Sequence, residues 1–220
     1  MVEKPTVAHF PALDATGVCR SAFIQRIAGI DVSHDKAETL ERLEAAHQRI
    51  RNEIGFGNWP LVTVEQIHAD KIAIVDLPIT EDTELAGNDG LITQQRGVAL
   101  GIHVADCCAV YIVDSKTPAI GLVHSGKKGT ALAITAKAIQ KMRERFGSTP
   151  ADLIVQLSPC IRPPHYEIDF AADIVEQCRA SGVKQIHDSG VCTACDLESY
   201  YSYRAEKGKT GRMLALLALR

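Results

Sequence analysis

The chain has 220 residues, 46% of them hydrophobic and 23% charged, with a formal net charge of −3. That length suits one domain, residues 1–220, with a sizeable core. The near-balanced charge removes the electrostatic case for nucleic acid or an anionic membrane as partner, and no apolar run approaches the roughly 20 residues that span a bilayer.

Seven cysteines, an odd number, accompany an N-terminus with no apolar signal-peptide segment. This argues for reduced thiols in a soluble cytoplasmic protein rather than a disulfide framework.

Residues 1–20 read as irregular, because Pro5 and Pro11 oppose helix. Residues 21–27 read as a short strand. Asp35 with Glu38 forms a capping-box pattern, and Leu40, Leu43, His47, Ile50 and Ile54 then recur at helical spacing up to Gly55. Residues 61–67 and 71–75 read as strands. Residues 77–90 read as a loop carrying Pro78, Gly87 and the turn pair Asp89-Gly90. A short strand follows at 91–93, then apolar strands at 98–104 and 119–123 around a hairpin turn at 114–118.

Residues 126–146 read as one helix with an apolar stripe of Leu132, Ala136, Ile139, Met142 and Phe146. Its start carries Gly126, Lys127 and Lys128, where free backbone N–H groups favour an anion. Residues 152–157 and 183–186 read as strands, 171–180 as a helix, and 196–205 as a helix capped by Asp196. Met213–Leu219 is a final apolar strand. The alternation, with several hairpin links, predicts a mixed-sheet α+β or α/β domain.

Three of these strand ends carry metal-binding chemistry: His68, Cys107 and His124. One thiolate and two imidazoles with an open fourth position suit a catalytic zinc, although residues this far apart form no local motif. The same residues also permit a metal-free Cys–His hydrolase, with Cys107 the nucleophile and His124 its base. Asp106 is placed to orient an imidazole or accept a proton, and equally to make a strand-end turn. Cys192-Thr193-Ala194-Cys195 is a lone C-x-x-C and reads as loop. Cys108 reads as core and His103 as structural. His165, beside Tyr166 in a proline-rich loop, is the histidine outside the set most open to a chemical role.

Taken together, these blocks resemble the laccase-domain family, also called the multicopper-polyphenol-oxidase-type purine nucleoside phosphorylases. Gln66-Ile67-His68-Ala69 matches Q-V-H-G, Asn88-Asp89-Gly90-Leu91-Ile92-Thr93 matches A-D-G-L-V-T, and Ala105-Asp106-Cys107 lies within T-A-D-C-x-P-V. His124-Ser125-Gly126 matches the start of H-A-G-W-R-G. Ser158-Pro159-Cys160-Ile161, Tyr166-Glu167-Ile168, Cys192-Thr193, Ser202-Tyr203-Arg204 and Thr210-Gly211-Arg212 follow in family order.

The resemblance implies zinc on His68, Cys107 and His124. It implies a fold of mixed β-sheets with flanking helices, similar to the catalytic domain of cytotoxic necrotizing factor toxins. It also implies phosphorolysis of purine nucleosides, with adenosine deamination and methylthioadenosine phosphorolysis beside it. The family name refers to copper and polyphenol oxidation, but the His-x-His motifs of a multicopper centre are absent.

Two departures mark a divergent member. The Trp and Arg of H-A-G-W-R-G are Lys127 and Lys128, which hold phosphate as point charges and not as a bidentate fork. The early F-x-T-R segment shrinks to Phe23-Ile24-Gln25-Arg26. The expected phosphate set is therefore Arg26, Lys127, Lys128 and Arg204. A non-catalytic binding member of the family is the remaining alternative.

Overall fold

Strict alternation along apolar strands divides this chain into two cores. The computed structural model describes residues 7–220. In chain order its strands are β1 (Val7–Ala8), β2 (Cys19–Ile24), β3 (Leu61–Val64), β4 (Ile72–Ile74), β5 (Thr83–Leu85), β6 (Gly90–Thr93), β7 (Ala99–Val104), β8 (Cys108–Asp114), β9 (Ala119–Ser125), β10 (Leu153–Leu157), β11 (Gln185–Asp188) and β12 (Met213–Leu219). Its helices are α1 (Pro11–Asp14), α2 (Lys36–Glu53), α3 (Lys127–Ala131), α4 (Ile134–Phe146) and α5 (Phe170–Ala180). Among these described residues one sheet runs β1-β2-β12-β7-β3-β5 and the other β11-β10-β8-β9-β6-β4. β3 is parallel to β5 and β7, β4 to β6, and β10 to β11, while the remaining pairs are antiparallel. This is the mixed-sheet α+β architecture expected from the sequence.

On β8 the period of two separates the layers. Ala109, Tyr111 and Val113 pack with Phe23, Leu100 and Leu216 of the first sheet. Cys108, Val110 and Ile112 pack with Ile139 and Met142 of α4 and Ile174 of α5. Each fully buried Leu or Ile stabilises the fold by about 1.5–3 kcal/mol. The Tyr111 hydroxyl donates to the Ala22 carbonyl at 2.7 Å, tying the sheets together. Burial holds that phenol well above its ordinary pKa.

The topology also places the metal candidates. The chain leaves β3 in the first sheet for β4 in the second through His68, and leaves β7 for β8 through Cys107. His124 lies on β9 opposite Ala109 of β8. All three therefore gather where the chain passes between sheets.

Several expectations are corrected. Within residues 7–20 the chain forms β1, α1 and the start of β2, and Pro11 occupies the first turn of α1, where its missing N–H costs nothing. Pro5 lies outside the described residues. The loop at 77–90 contains β5.

The single helix at 126–146 is two helices, broken at Ala133 with φ 57°. Gln177 Nε2 and Ala133 N both donate to the Thr130 carbonyl, which a continuous helix would offer to Ile134 N. The buried face is Ile134, Ala138, Ile139 and Met142, and Leu132 is exposed.

Residues 196–205 form turns, not a helix. Asp196 Oδ1 accepts from Glu198 N and Ser199 N. Tyr200 and Tyr201 are drawn away to Gln25 and the Ile27 carbonyl. Among the described residues no helix is long and apolar enough to cross a membrane.

α2 begins as its sequence predicts, with Asp35 Oδ1 accepting from Glu38 N at 2.8 Å. It carries a buried titrating group, His47, whose ring lies 5.8 Å from that of His103. Burial pushes His47 down to about 4, with the neighbouring Arg51 charge adding to the effect. The unfolded chain therefore takes up this proton near pH 6.5, while the folded protein resists it until about pH 4. Stability should fall as pH drops through that window, by about 3 kcal/mol from this group alone. Urea melts of the parent and of His47→Gln at pH 7 and pH 4.5 check this: the substitution should flatten the loss.

Candidate metal centre

Ligand atoms of His68, Cys107 and His124 all lie within 4.8 Å of one another. The two imidazole rings meet edge to face, with centroids 4.9 Å apart at 79°. His124 is 4% exposed, Cys107 is half-buried, and His68 opens to solvent. This gradient gives a buried wall and an open side. The donor set fits a three-ligand metal site with one free position.

Asp89 completes the arrangement. It is fully buried, and its Oδ1 accepts from His124 Nδ1 and His68 N, both at 2.9 Å. Its Oδ2 accepts from Ala69 N at 2.7 Å. With Nδ1 engaged, His124 presents Nε2 to the cluster. Burial alone would raise the Asp89 carboxyl, but the bonds from His124, Ala69 and His68 hold it below its ordinary value. From sequence Asp89 reads as a turn residue with a functional role as the alternative, and its bonds to His124 and His68 are what the fold adds.

Backbone conformation is unusual here. Gln66, His68 and Asp106 hold positive φ values of 62°, 59° and 81°. Such left-handed conformations cost on the order of 1–3 kcal/mol each and persist where the surroundings enforce them. Gly126 is also required, for space rather than φ: a Cβ there would stand 2.3 Å from Cys107 Sγ. Gly126→Ala must displace the thiol. Any divalent metal held by the cluster is expected to bind at least about tenfold more weakly in this variant by competitive chelator titration, the size of loss typical when a ligand's support is disturbed.

The cluster is electrostatically coupled. Burial alone would raise Cys107, but His124 and His68 beside it bring the thiol down to about 6. Burial alone would lower His124, but Cys107 and Asp89 bring it up to about 9. Each group thus favours the other's charged form, a thiolate beside an imidazolium. A thiolate is the form that binds metal or attacks carbon.

The cluster lines a cavity of about 560 Å³, within the range of small-molecule sites. Lys127, Lys128, Arg204 and Asp106 also line it. Glu167 sits between Lys127 and Arg204, at 3.2 Å and 3.0 Å, and the Arg204 guanidinium lies 4.6 Å from the centre of the Tyr166 ring.

Asp106 is tied up: its Oδ1 accepts from Thr193 Oγ1 at 2.8 Å and its Oδ2 from Arg204 N at 2.7 Å. Arg26 is not brought to the cavity. It bonds the Tyr200 carbonyl and Glu206 and covers the Tyr201 ring.

Sequence reasoning did not assign the cavity its Lys36, Arg212, Tyr203 and His103. His103 read as structural from the sequence, whereas it lines the same cavity as Cys107. Burial and the nearby Arg212 pull the Lys36 ammonium below its ordinary value.

Comparison with known proteins bears on this geometry. A family model described as multi-copper polyphenol oxidoreductase laccase matches residues 13–178 and 165–220. A Corynebacterium glutamicum protein named purine nucleoside phosphorylase is 28% identical over 231 residues, covering 93% of this chain and 91% of its own. A Clostridium acetobutylicum protein with that name is 31% identical over 180 residues, covering 70% of this chain and 75% of its own. The crystal structure of YlmD from Geobacillus stearothermophilus superposes with a TM-score of 0.82 at 24% identity, covering 100% of this chain and 98% of that one. The chain belongs to the multi-copper polyphenol oxidoreductase laccase family.

Proposed function

We propose that the chain is a cytoplasmic, zinc-dependent purine nucleoside phosphorylase that also deaminates adenosine and phosphorolyses methylthioadenosine. One observation carries this reading. A thiolate and two imidazoles line a roomy cavity together with the cations Lys36, Lys127, Lys128, Arg204 and Arg212. The relatives' names support the same direction.

His68, Cys107 and His124 would hold zinc, which when bound supplies a Lewis acid and a water acidified towards neutral pH. Asp89 orients His124, and Asp106 positions the Cys107 turn against Thr193 and Arg204. Lys127, Lys128 and Arg204 attract and orient phosphate, and Tyr166 and Tyr203 offer ring faces to the nucleoside. Arg26 takes no part. In phosphorolysis a phosphate oxygen bonds to C1′ as the bond to N9 breaks, and the purine leaves with that electron pair and takes up a proton. Polyphenol oxidation by a multicopper centre would need His-x-His pairs that the sequence lacks.

The Asp89–His124–Cys107 alignment favours one second reading, a metal-free Cys–His hydrolase. The test incubates zinc-replete protein with adenosine, inosine or methylthioadenosine, with and without phosphate. Free base that appears only with phosphate, together with inosine from adenosine, is the expected result. Absence of both products from zinc-loaded protein would remove the purine assignment.

A further inference from the structure

From sequence Cys192-x-x-Cys195 reads as loop, but the fold gives this pair a third member. His165 lies 27 and 30 residues upstream of the two thiols. Its Nδ1 stands 3.8 Å from Cys192 Sγ and 3.5 Å from Cys195 Sγ, and all three ligand atoms fall within 4.8 Å of one another. Tetrahedral zinc with Zn–S near 2.3 Å and Zn–N near 2.0–2.1 Å requires S···N edges of about 3.5 Å and an S···S edge of about 3.8 Å. The two S···N separations lie within about 0.3 Å of that edge, and the S···S separation falls under 4.8 Å.

We propose that His165, Cys192 and Cys195 form a second metal site, distinct from the His68–Cys107–His124 centre, for a thiophilic divalent cation such as zinc. Two thiolates and one imidazole select this class over hard cations such as magnesium or calcium. Because His165 and Cys195 are exposed, solvent fills the fourth position.

The backbone around the cluster is already ordered. Cys195 N donates to the Cys192 carbonyl at 3.1 Å, Thr193 N to the Cys160 carbonyl at 3.2 Å, and His165 N to the Arg162 carbonyl at 2.9 Å. In the metal-free protein the contact with Cys192 holds the Cys195 thiol above its ordinary value.

The site has a structural purpose. Tyr166, next to His165, lines the main cavity. Thr193, next to Cys192, bonds Asp106, the residue before Cys107. An ion joining His165 to the two cysteines clamps the proline-rich loop to the 192–195 turn. It thereby holds a wall of the main cavity without touching substrate.

Cobalt(II) titration of the full chain, reduced and stripped of metal, tests the proposal. Cys107→Ala is expected to bind one equivalent, with thiolate-to-cobalt charge-transfer absorption from two sulfurs. The triple variant Cys107→Ala/Cys192→Ser/Cys195→Ser should bind none, and Cys107→Ala/His165→Ala should bind at least tenfold more weakly. Far-UV circular dichroism confirms that each variant is folded.

The proposal is overturned if folded Cys107→Ala binds no cobalt, or if the triple variant keeps that ion. A Cys192–Cys195 disulfide that persists in protein purified under reductant overturns it as well. Failure of the main centre is distinguishable, because it would appear in Cys192→Ser/Cys195→Ser and leave the Cys107→Ala result untouched.

Discussion

Cys107→Ala is expected to lose stoichiometric zinc from the His68–His124 centre and at least about a thousandfold in phosphorolysis and deamination. A bound metal contributes several kcal/mol of charge stabilisation, and each 1.36 kcal/mol is tenfold in rate. Cys107 also lies at the coupled heart of the cluster, where His124 and His68 both act on its sulfur. Removing it leaves two imidazoles, too few for a closed three-ligand set.

Activity loss alone does not separate a metal enzyme from a Cys–His hydrolase, since both need this sulfur. Chelation of the parent protein does. The proposed enzyme loses activity with its zinc and regains it on adding zinc back, whereas a metal-free hydrolase is indifferent. Metal content and product formation, measured on the same samples, decide the matter.

Asp89→Asn is the second large effect, and it acts without touching the metal. The buried carboxylate accepts three hydrogen bonds, from His124 Nδ1, His68 N and Ala69 N. An amide keeps one oxygen and turns an NH2 group toward a backbone donor. Zinc affinity should fall about 10–100-fold, because the oxygen facing His124 Nδ1 loses its charge and the NH2 facing Ala69 N pushes the side chain out of register. Stability should fall by about 3 kcal/mol, the cost typical of breaking a buried charged pair.

The pH dependence gives a separate signature. The folded carboxyl titrates below its ordinary value, so its contribution is full above about pH 4 and is lost as pH falls further. Asp89→Asn should lack that acid-sensitive component in urea melts. A variant with the parent's zinc affinity and acid profile would show that Asp89 is only a turn residue.

Much of this was legible in the sequence because strands and capping are written in short-range patterns. Apolar runs marked β7, β9 and β12, and Asp35 with Glu38 marked the start of α2. His68, Cys107 and His124 were legible because each follows an apolar strand, and the family blocks joined them into one set.

What escaped depended on distant partners. The break at Ala133 has no glycine or proline to announce it and rests on Gln177, 47 residues from Thr130. Residues 196–205 carry a good cap in Asp196, yet their tyrosines are claimed by Gln25 and Ile27. Arg26 read as a phosphate ligand, but the fold turns it away from the cavity toward Glu206 and Tyr201. His165 and the C-x-x-C pair are unremarkable one at a time and become a cluster only through the fold.

The position of β12 has a kinetic consequence. This strand lies between β2 and β7 in the middle of its sheet, pairing Leu214 with Ile24 on one side and with His103 on the other. Neither neighbour can complete its ladder until segments some 110 to 190 residues apart in the chain have met. Loop-closure entropy makes such pairings slow to form. β7, which β12 flanks, and its neighbour β3 lead directly to Cys107 and His68, so completing this ladder fixes the strands that carry two of the three candidate ligands. If the slow step is closing this ladder, an ion at the proposed centre would act after it, on the folded side of the barrier. Refolding should proceed at the same rate with or without zinc, while unfolding should slow when zinc is bound.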